Sequence, residues 1–151
     1  MTPDNTISFR EDMIDLILAG KKTVTIRPMK PQPEVFFFGN IPGTRKYFTL
    51  NGDHTLREAS WFRDQYPHGK VGDFVTARGH DGCKLRITDI WFNHVGNLLP
   101  IAWLWDGVTD TSEPSIERHW DSFYGDTECR WENYPWVWVV EFELVNREVK
   151  P

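Results

Sequence analysis

The spacing of apolar positions changes several times along the chain, and each change marks an element. Over residues 8–20, SFREDMIDLILAG, Ile14, Ile17 and Leu18 fall at i, i+3 and i+4, which places one buried stripe on a short helix. Ser8 and Glu11 stand three apart ahead of that run, the spacing of a capping box. Gly20 stands where a left-handed C-terminal cap is needed. From Lys22 the character switches: Thr23, Val24, Thr25 and Ile26 form a β-branched run that favours a strand, and Pro28 stops it.

Residues 28–72 are rich in Pro, Gly and charge, with PMKPQP, NIPG and YPHGKVGD as breakers. VFFF (35–38) and KYFTL (46–50) are strand candidates inside this region. DFVTAR (73–78) and CKLRITDIW (83–91) are better ones, and Gly79-His80-Asp81-Gly82 between them suits a hairpin turn. In the second, Leu85, Ile87 and Asp89 alternate with Lys84, Arg86 and Thr88, so one face is expected to be mostly apolar. NLLPIAWLWDGV (97–108) reads as a short helical turn ending at Gly107. Ser112 is placed to cap a helix from about Glu113 to Tyr124, with Pro114 in its first turn and Ile116, Trp120 and Phe123 on one face; Gly125 closes it. WVWVVEFELV (136–145) is the strongest strand, apolar on both faces at first and then alternating, as a central strand does. The pattern predicts one α+β domain over residues 1–151, with five to seven mostly antiparallel strands and two or three short helices.

Composition narrows this picture. At 151 residues, with 40% apolar and 26% charged positions, the chain fits one globular domain and excludes wholesale disorder. No run approaches the roughly 20 apolar residues of a membrane span, and MTPDNTISFRED lacks the basic flank and apolar stretch of a signal peptide. Cys83 and Cys129 stand alone, in no metal-ligand spacing, so a reducing cytoplasm is the expected compartment. Eight Trp, ten Phe and four Tyr supply a large core, and can also build a stacking pocket.

The net charge of −5 disfavours a general nucleic-acid coat, which depends on neutralising phosphates. The balance is uneven: residues 1–90 carry 13 Lys and Arg against 11 Asp and Glu, a net +2, and residues 91–151 carry 4 against 11, a net −7. An anionic ligand is expected to meet the N-terminal half.

There is no GxGxxG, P-loop or HExxH, and the five histidines form no i, i+4 pair, so neither a metal nor a cofactor is expected. His119, beside Trp120, reads as a packing or surface residue, and Cys83 has no nearby His to activate it. The distinctive segment is Gly20-Lys21-Lys22-Thr23-Val24-Thr25-Ile26-Arg27, where a helix end feeds a strand through two Lys, two Thr and an Arg. A Lys partly desolvated at such a junction has its pKa lowered and can deprotonate a Thr hydroxyl; an exposed basic turn is the plainer reading of the same spacing.

The order of helix, GKKTVTIR, a Gly69-Lys70-Val71-Gly72-Asp73 turn and a closing WVWVVEFE strand resembles the ASCH family, small β-barrels related to the PUA domains of RNA-modifying enzymes. The likeness is to its phage-type branch, at LILAGKKTVTIRPMKPQP, YPHGKVGDFV, LRITDIW, SFYG and ENYPWVWVVEFE, and it spans nearly the whole chain. The resemblance implies two kinds of activity. One bacterial branch, similar at the GKKTVTIR turn, deacetylates N(4)-acetylcytidine with a Lys, a Thr and a Glu. By motif register these fall on Lys22, Thr25 and Asp106, the last a departure because Asp is one methylene shorter. A second branch is similar to nucleic-acid-binding modules, with ribonuclease activity in some members.

The amidohydrolase likeness implies Lys22 as the base, Thr25 as the nucleophile and Asp106 as the group that handles the proton for the leaving amine and the hydrolytic water, with Arg27, Lys21 and Thr23 near the substrate. In a regular strand Lys22 and Thr25 point to opposite faces, so the scheme requires Lys22 to lie in the turn, or a bulge between them. A second departure is length: relative to that compact branch there is a long insertion at about 28–68. Arg45 and Trp61 within it suit either a lid over a base or packing on the barrel. The expected ligand is a small nucleoside or a short single-stranded RNA, with no membrane partner. The competing functions are a hydrolase of acylated nucleosides, an RNA-binding module using the same cleft, and a ribonuclease.

Overall fold

Four of the predicted strands pair into one five-stranded mixed sheet, and a short strand that the pattern did not predict, Asn5–Ile7, completes it. In the computed structural model, which describes residues 5–30, 32–37, 46–49, 64–80 and 82–145, the strands are β1 (Asn5–Ile7), β2 (Val24–Pro28), β5 (Phe74–Ala77), β6 (Lys84–His94) and β7 (Trp136–Leu144). Their spatial order is β1-β5-β6-β7-β2, with β1 parallel to β5 and every other pair antiparallel. The two strand candidates of the 28–68 region form a separate antiparallel ribbon, β3 (Glu34–Phe37) with β4 (Lys46–Thr49).

β7 reads as continuously apolar because it is central and covered on both faces. Trp138, Val140 and Phe142 face one core, where Leu85, Ile87 and Ile90 of β6 meet Ile14 and Ile17 of the first helix, α1 (Glu11–Leu18). Val137 and Val139 face the other, against Trp103 of α2 (Pro100–Trp105) and Ile116 and Trp120 of α3 (Glu113–Tyr124). The architecture is therefore a sheet with helices on both faces, an α+β fold. Among the described residues no helix is long and apolar enough to cross a membrane.

Three expectations are corrected. The sheet is not closed into a barrel: β1 and β2 are its two edges, and no ladder joins them among the described residues. β1 is three residues long and its chain leaves for α1, so the seam is bridged by a side chain instead, Arg27 Nη2 donating to the Ser8 carbonyl. Second, α1 begins at Glu11 rather than Ser8, with Arg10 at the N-cap in extended conformation and no capping box; Glu11 instead meets His80 Nε2 at 2.9 Å. Third, the apolar face of β6 does not run Leu85, Ile87, Asp89. A register shift between Ile87 and Asp89 turns Asp89 to solvent and returns Ile90 to the core, as a β-bulge does.

Candidate functional site

The site grows from the way α1 ends. Gly20 adopts φ +75°, a conformation open to glycine, and its N–H donates to Ile17 O at 3.0 Å while the Lys21 N–H donates to Leu16 O at 2.9 Å. This pair of bonds is the Schellman arrangement, which stops a helix and reverses the chain. The Lys22 N–H also reaches Leu16 O, at 3.2 Å, so Lys22 leaves the turn before β2 begins at Val24. The parity conflict between Lys22 and Thr25 is thereby removed: Lys22 lies in the turn, and only Thr25 obeys strand alternation.

The end of α2 comes to the same place. The Thr23 N–H donates to Trp105 O at 2.7 Å, latching the turn onto the helix end. Gly107 follows at φ +102°, and a Cβ there would stand 2.8 Å from Leu16 Cδ1. The positive φ favours glycine here, and any Cβ would have to push the Leu16 side chain aside.

Asp106 thus meets Lys22. Lys22 Nζ forms a close ion pair with Asp106 Oδ1 and donates to the Asp106 carbonyl at 3.1 Å, so the shorter carboxylate still reaches its lysine. His119 Nε2 of α3 lies 3.4 Å from the other oxygen, Asp106 Oδ2. On β2, Thr25 and Arg27 share a face, and Arg27 Nε donates to Thr25 Oγ1 at 3.1 Å, which leaves the hydroxyl proton free to donate elsewhere. Lys22 (4% exposed), Thr25 (4%) and Asp106 (5%) are the buried polar or charged residues among those described. Burial draws the Lys22 ammonium below its ordinary value, and the neighbouring Asp106 carboxylate pushes partly back.

These groups line one cavity of about 320 Å³ at the seam that the sheet leaves open. Lys22, Thr25, Asp106 and His119 supply its polar side; Phe9, Phe123 and Tyr124 supply aromatic walls. The Arg10 guanidinium lies 3.8 Å from the centroid of the Phe123 ring, and that of Arg27 lies 4.9 Å from the centroid of Phe9. A flat heteroaromatic ring fits such walls, with a hydroxyl, an amine and a carboxylate within one enclosure.

Of the sequence-derived site residues, Lys22, Thr25, Asp106 and Arg27 come together here. Lys21 and Thr23 do not: both are exposed and neither lines the cavity, because the turn that buries Lys22 sends its two neighbours outward. Arg45 and Trp61 lie outside the described residues. Sequence reading missed His119. It sits on the stripe of Ile116, Trp120 and Phe123, and that helical spacing was the available signal.

No family model and no curated protein matches the chain by sequence. In structure it is similar to the ASCH domain of Lactobacillus crispatus JV V101, with a TM-score of 0.56 and 14% identity over 95% of this chain and 80% of that one. The fold is that of an ASCH domain. A DUF984 protein of Enterococcus faecalis V583 is similar as well, with a TM-score of 0.55 and 11% identity over 97% of this chain and 82% of that one. The ASCH fold here places its cavity at the seam between β1 and β2, under the ends of α1, α2 and α3.

Proposed function

We propose that the chain is a small amidohydrolase acting on an acylated nucleoside such as N(4)-acetylcytidine. The observation that carries this reading is the burial of Lys22, Thr25 and Asp106 around a single aromatic-walled cavity. Burying polar groups opposes folding unless they are paired, and a lysine held below its ordinary pKa gives up its proton more readily, as a general base must.

In this scheme the neutral Lys22 amine accepts the Thr25 hydroxyl proton. No hydrogen bond runs directly between them among the described residues, so the scheme passes the proton through water in the cavity. Thr25 Oγ bonds to the acetyl carbon and the carbonyl oxygen takes the negative charge, facing the Arg27 guanidinium. The C–N4 bond then breaks, and the amine leaves with the proton that Lys22 gained. A water activated at Asp106 attacks the acetyl-threonine ester, releasing acetate and returning a proton to Thr25. One water is consumed for each amide cleaved. His119, on the outer oxygen of Asp106, steadies the carboxylate that faces Lys22.

A second reading, an RNA-binding module with or without ribonuclease activity, is favoured by the two guanidiniums stacked on aromatic rings at the cavity walls, a combination that suits a single-stranded base and its phosphate. The free, buried thiols of Cys83 and Cys129 accord with a cytoplasmic setting. The deciding experiment incubates purified protein with N(4)-acetylcytidine, other acylated nucleosides and a short RNA, and separates the products by chromatography. Release of cytidine and acetate supports the hydrolase; RNA retention or cleavage with no acyl turnover supports the module.

A further inference from the structure

Arg27 and Tyr124 belong to two cavities. Besides the one described, they line a neighbouring cavity of about 170 Å³, whose other walls include Lys30, Tyr66, His68 and Trp138. The Tyr66 ring packs edge-on against Trp138, with centroids 5.7 Å apart, and against His68 at 5.5 Å. Tyr66 is 4% exposed, yet its hydroxyl has no hydrogen-bond partner among the described residues. An orphaned buried hydroxyl is costly and calls for a partner, and the acceptor atom of a ligand would supply one.

The chemistry of the remaining described walls bears on what that partner would be. Two cations, Arg27 and Lys30, line the cavity with a phenol and an imidazole, and no carboxylate lines it among the described residues. Burial, and then the charges of Arg27 and Arg78, hold His68 below the ordinary histidine value. Burial also pushes the Tyr66 phenol up to about 12, so it remains a donor throughout the physiological range. Donors and positive charge, with no negatively charged acceptor among the described walls, fit a phosphate group.

We infer that this second cavity is a phosphate subsite, and that the preferred ligand is a nucleoside monophosphate with its base in the larger cavity and its phosphate among Tyr66, His68 and Lys30. The placement of the base rests on the nucleoside reading proposed above; the phosphate subsite rests on its own walls.

The test compares cytidine, cytidine 5′-monophosphate and ribose 5-phosphate by calorimetry at low salt. The His68 imidazole signals are followed by NMR, and N(4)-acetylcytidine turnover is measured in parallel. The expected result is at least tenfold tighter binding of the monophosphate than of cytidine. Lys30→Ala and Tyr66→Phe should each reduce that ratio several-fold while leaving cytidine affinity unchanged. Tyr66→Phe removes a hydroxyl that bonds nothing described, so its melting temperature should not fall, and Lys30 is exposed, so neither variant endangers folding. Equal binding of cytidine and its monophosphate, or an advantage that survives both substitutions, overturns the subsite even where acetylcytidine is hydrolysed. Ribose 5-phosphate that binds, shifts His68 and depends on Tyr66 and Lys30, with no nucleoside turnover, upholds the subsite and sinks the hydrolase reading. Binding of RNA oligomers with no mononucleotide bound overturns it in favour of the RNA module.

Discussion

Lys22 and Asp106 stand 84 positions apart in the chain and close a buried ion pair, with the lysine held twice by the same aspartate, through its carboxylate and its backbone carbonyl. Both side chains are nearly free of solvent. In such a setting the two charges depend on each other, and removal of one leaves the other uncompensated. Asp106→Ala should therefore cost about 3–5 kcal/mol of stability, read from urea denaturation. A loss well below 1 kcal/mol would show that Lys22 does not rely on its partner.

Thr25 offers the direct test of chemistry. Thr25→Ala removes the hydroxyl, a methyl and the acceptor of the Arg27 Nε bond, so hydrolysis of N(4)-acetylcytidine should vanish while the protein stays folded with a stability loss of about 1–3 kcal/mol. Lys22→Arg should be inactive too, since a guanidinium stays charged and cannot serve as a base at neutral pH. Turnover in both variants, followed by chromatography, would remove these residues from the mechanism.

The lowered Lys22 pKa sets a pH dependence. An unfolded lysine keeps its proton up to about its ordinary value of 10.5, whereas the folded one releases it earlier. Between the two values the unfolded state holds more protons, so the Lys22 contribution to stability rises with pH. The neutral-amine fraction rises over the same window, and kcat/KM should rise with it. Tyr66, raised to about 12, acts in the opposite sense once pH passes its ordinary value of 10.0, and the buried thiols of Cys83 and Cys129, also raised, do so from 9.0. The Lys22 contribution is therefore read as a difference between two proteins that share these groups, over the pH range below 10.5. Urea midpoints for wild type and Lys22→Met across that range should diverge; parallel curves would contradict the lowered pKa.

Trp138 of β7 is packed in the core by Tyr66 and Phe92. Trp138→Ala should cost roughly 3–5 kcal/mol, measured by denaturant or thermal unfolding. A loss below 1 kcal/mol would mean that this face of the central strand is not packed as described.

Gly107→Ala probes the junction that brings Asp106 to Lys22. At φ +102° an alanine is strained by about 1–2 kcal/mol, and its methyl would also press on Leu16 Cδ1. Both stability and turnover should drop, with turnover falling further because Asp106 is displaced. Wild-type activity in Gly107→Ala would show that the close approach is not needed.

Much of the fold was legible in local pattern. The helix over Glu113–Tyr124, the Gly20 stop of α1, the β5–β6 hairpin and the central β7 coincide with spacing and turn residues. What misled was also local. Ser8 and Glu11 have the spacing of a capping box, but the Ser8 carbonyl is taken by Arg27 from the opposite edge of the sheet, and the chain stays extended through Arg10. Alternation along β6 pointed Asp89 into the core because a bulge gives no sign in the residue types themselves.

Residue order alone therefore determined most of the helices and strands, which strand is central and where the turns fall, because those properties depend on periodicity and on backbone preferences within a few residues. The three-residue β1 was not among them, since its edge pairing with β5 is a long-range contact. Family likeness nominated Lys22, Thr25 and Asp106. The tertiary structure decided that Lys22 and Asp106 pair, that His119 joins them, that Lys21 and Thr23 stay outside, and that the sheet remains open where the cavity lies. It also left the Tyr66 hydroxyl buried without a described partner beside Lys30. These are contacts between segments remote in the chain, and they are set by how α1, α2 and α3 pack on the two faces of one sheet, a geometry that no local run of residues encodes.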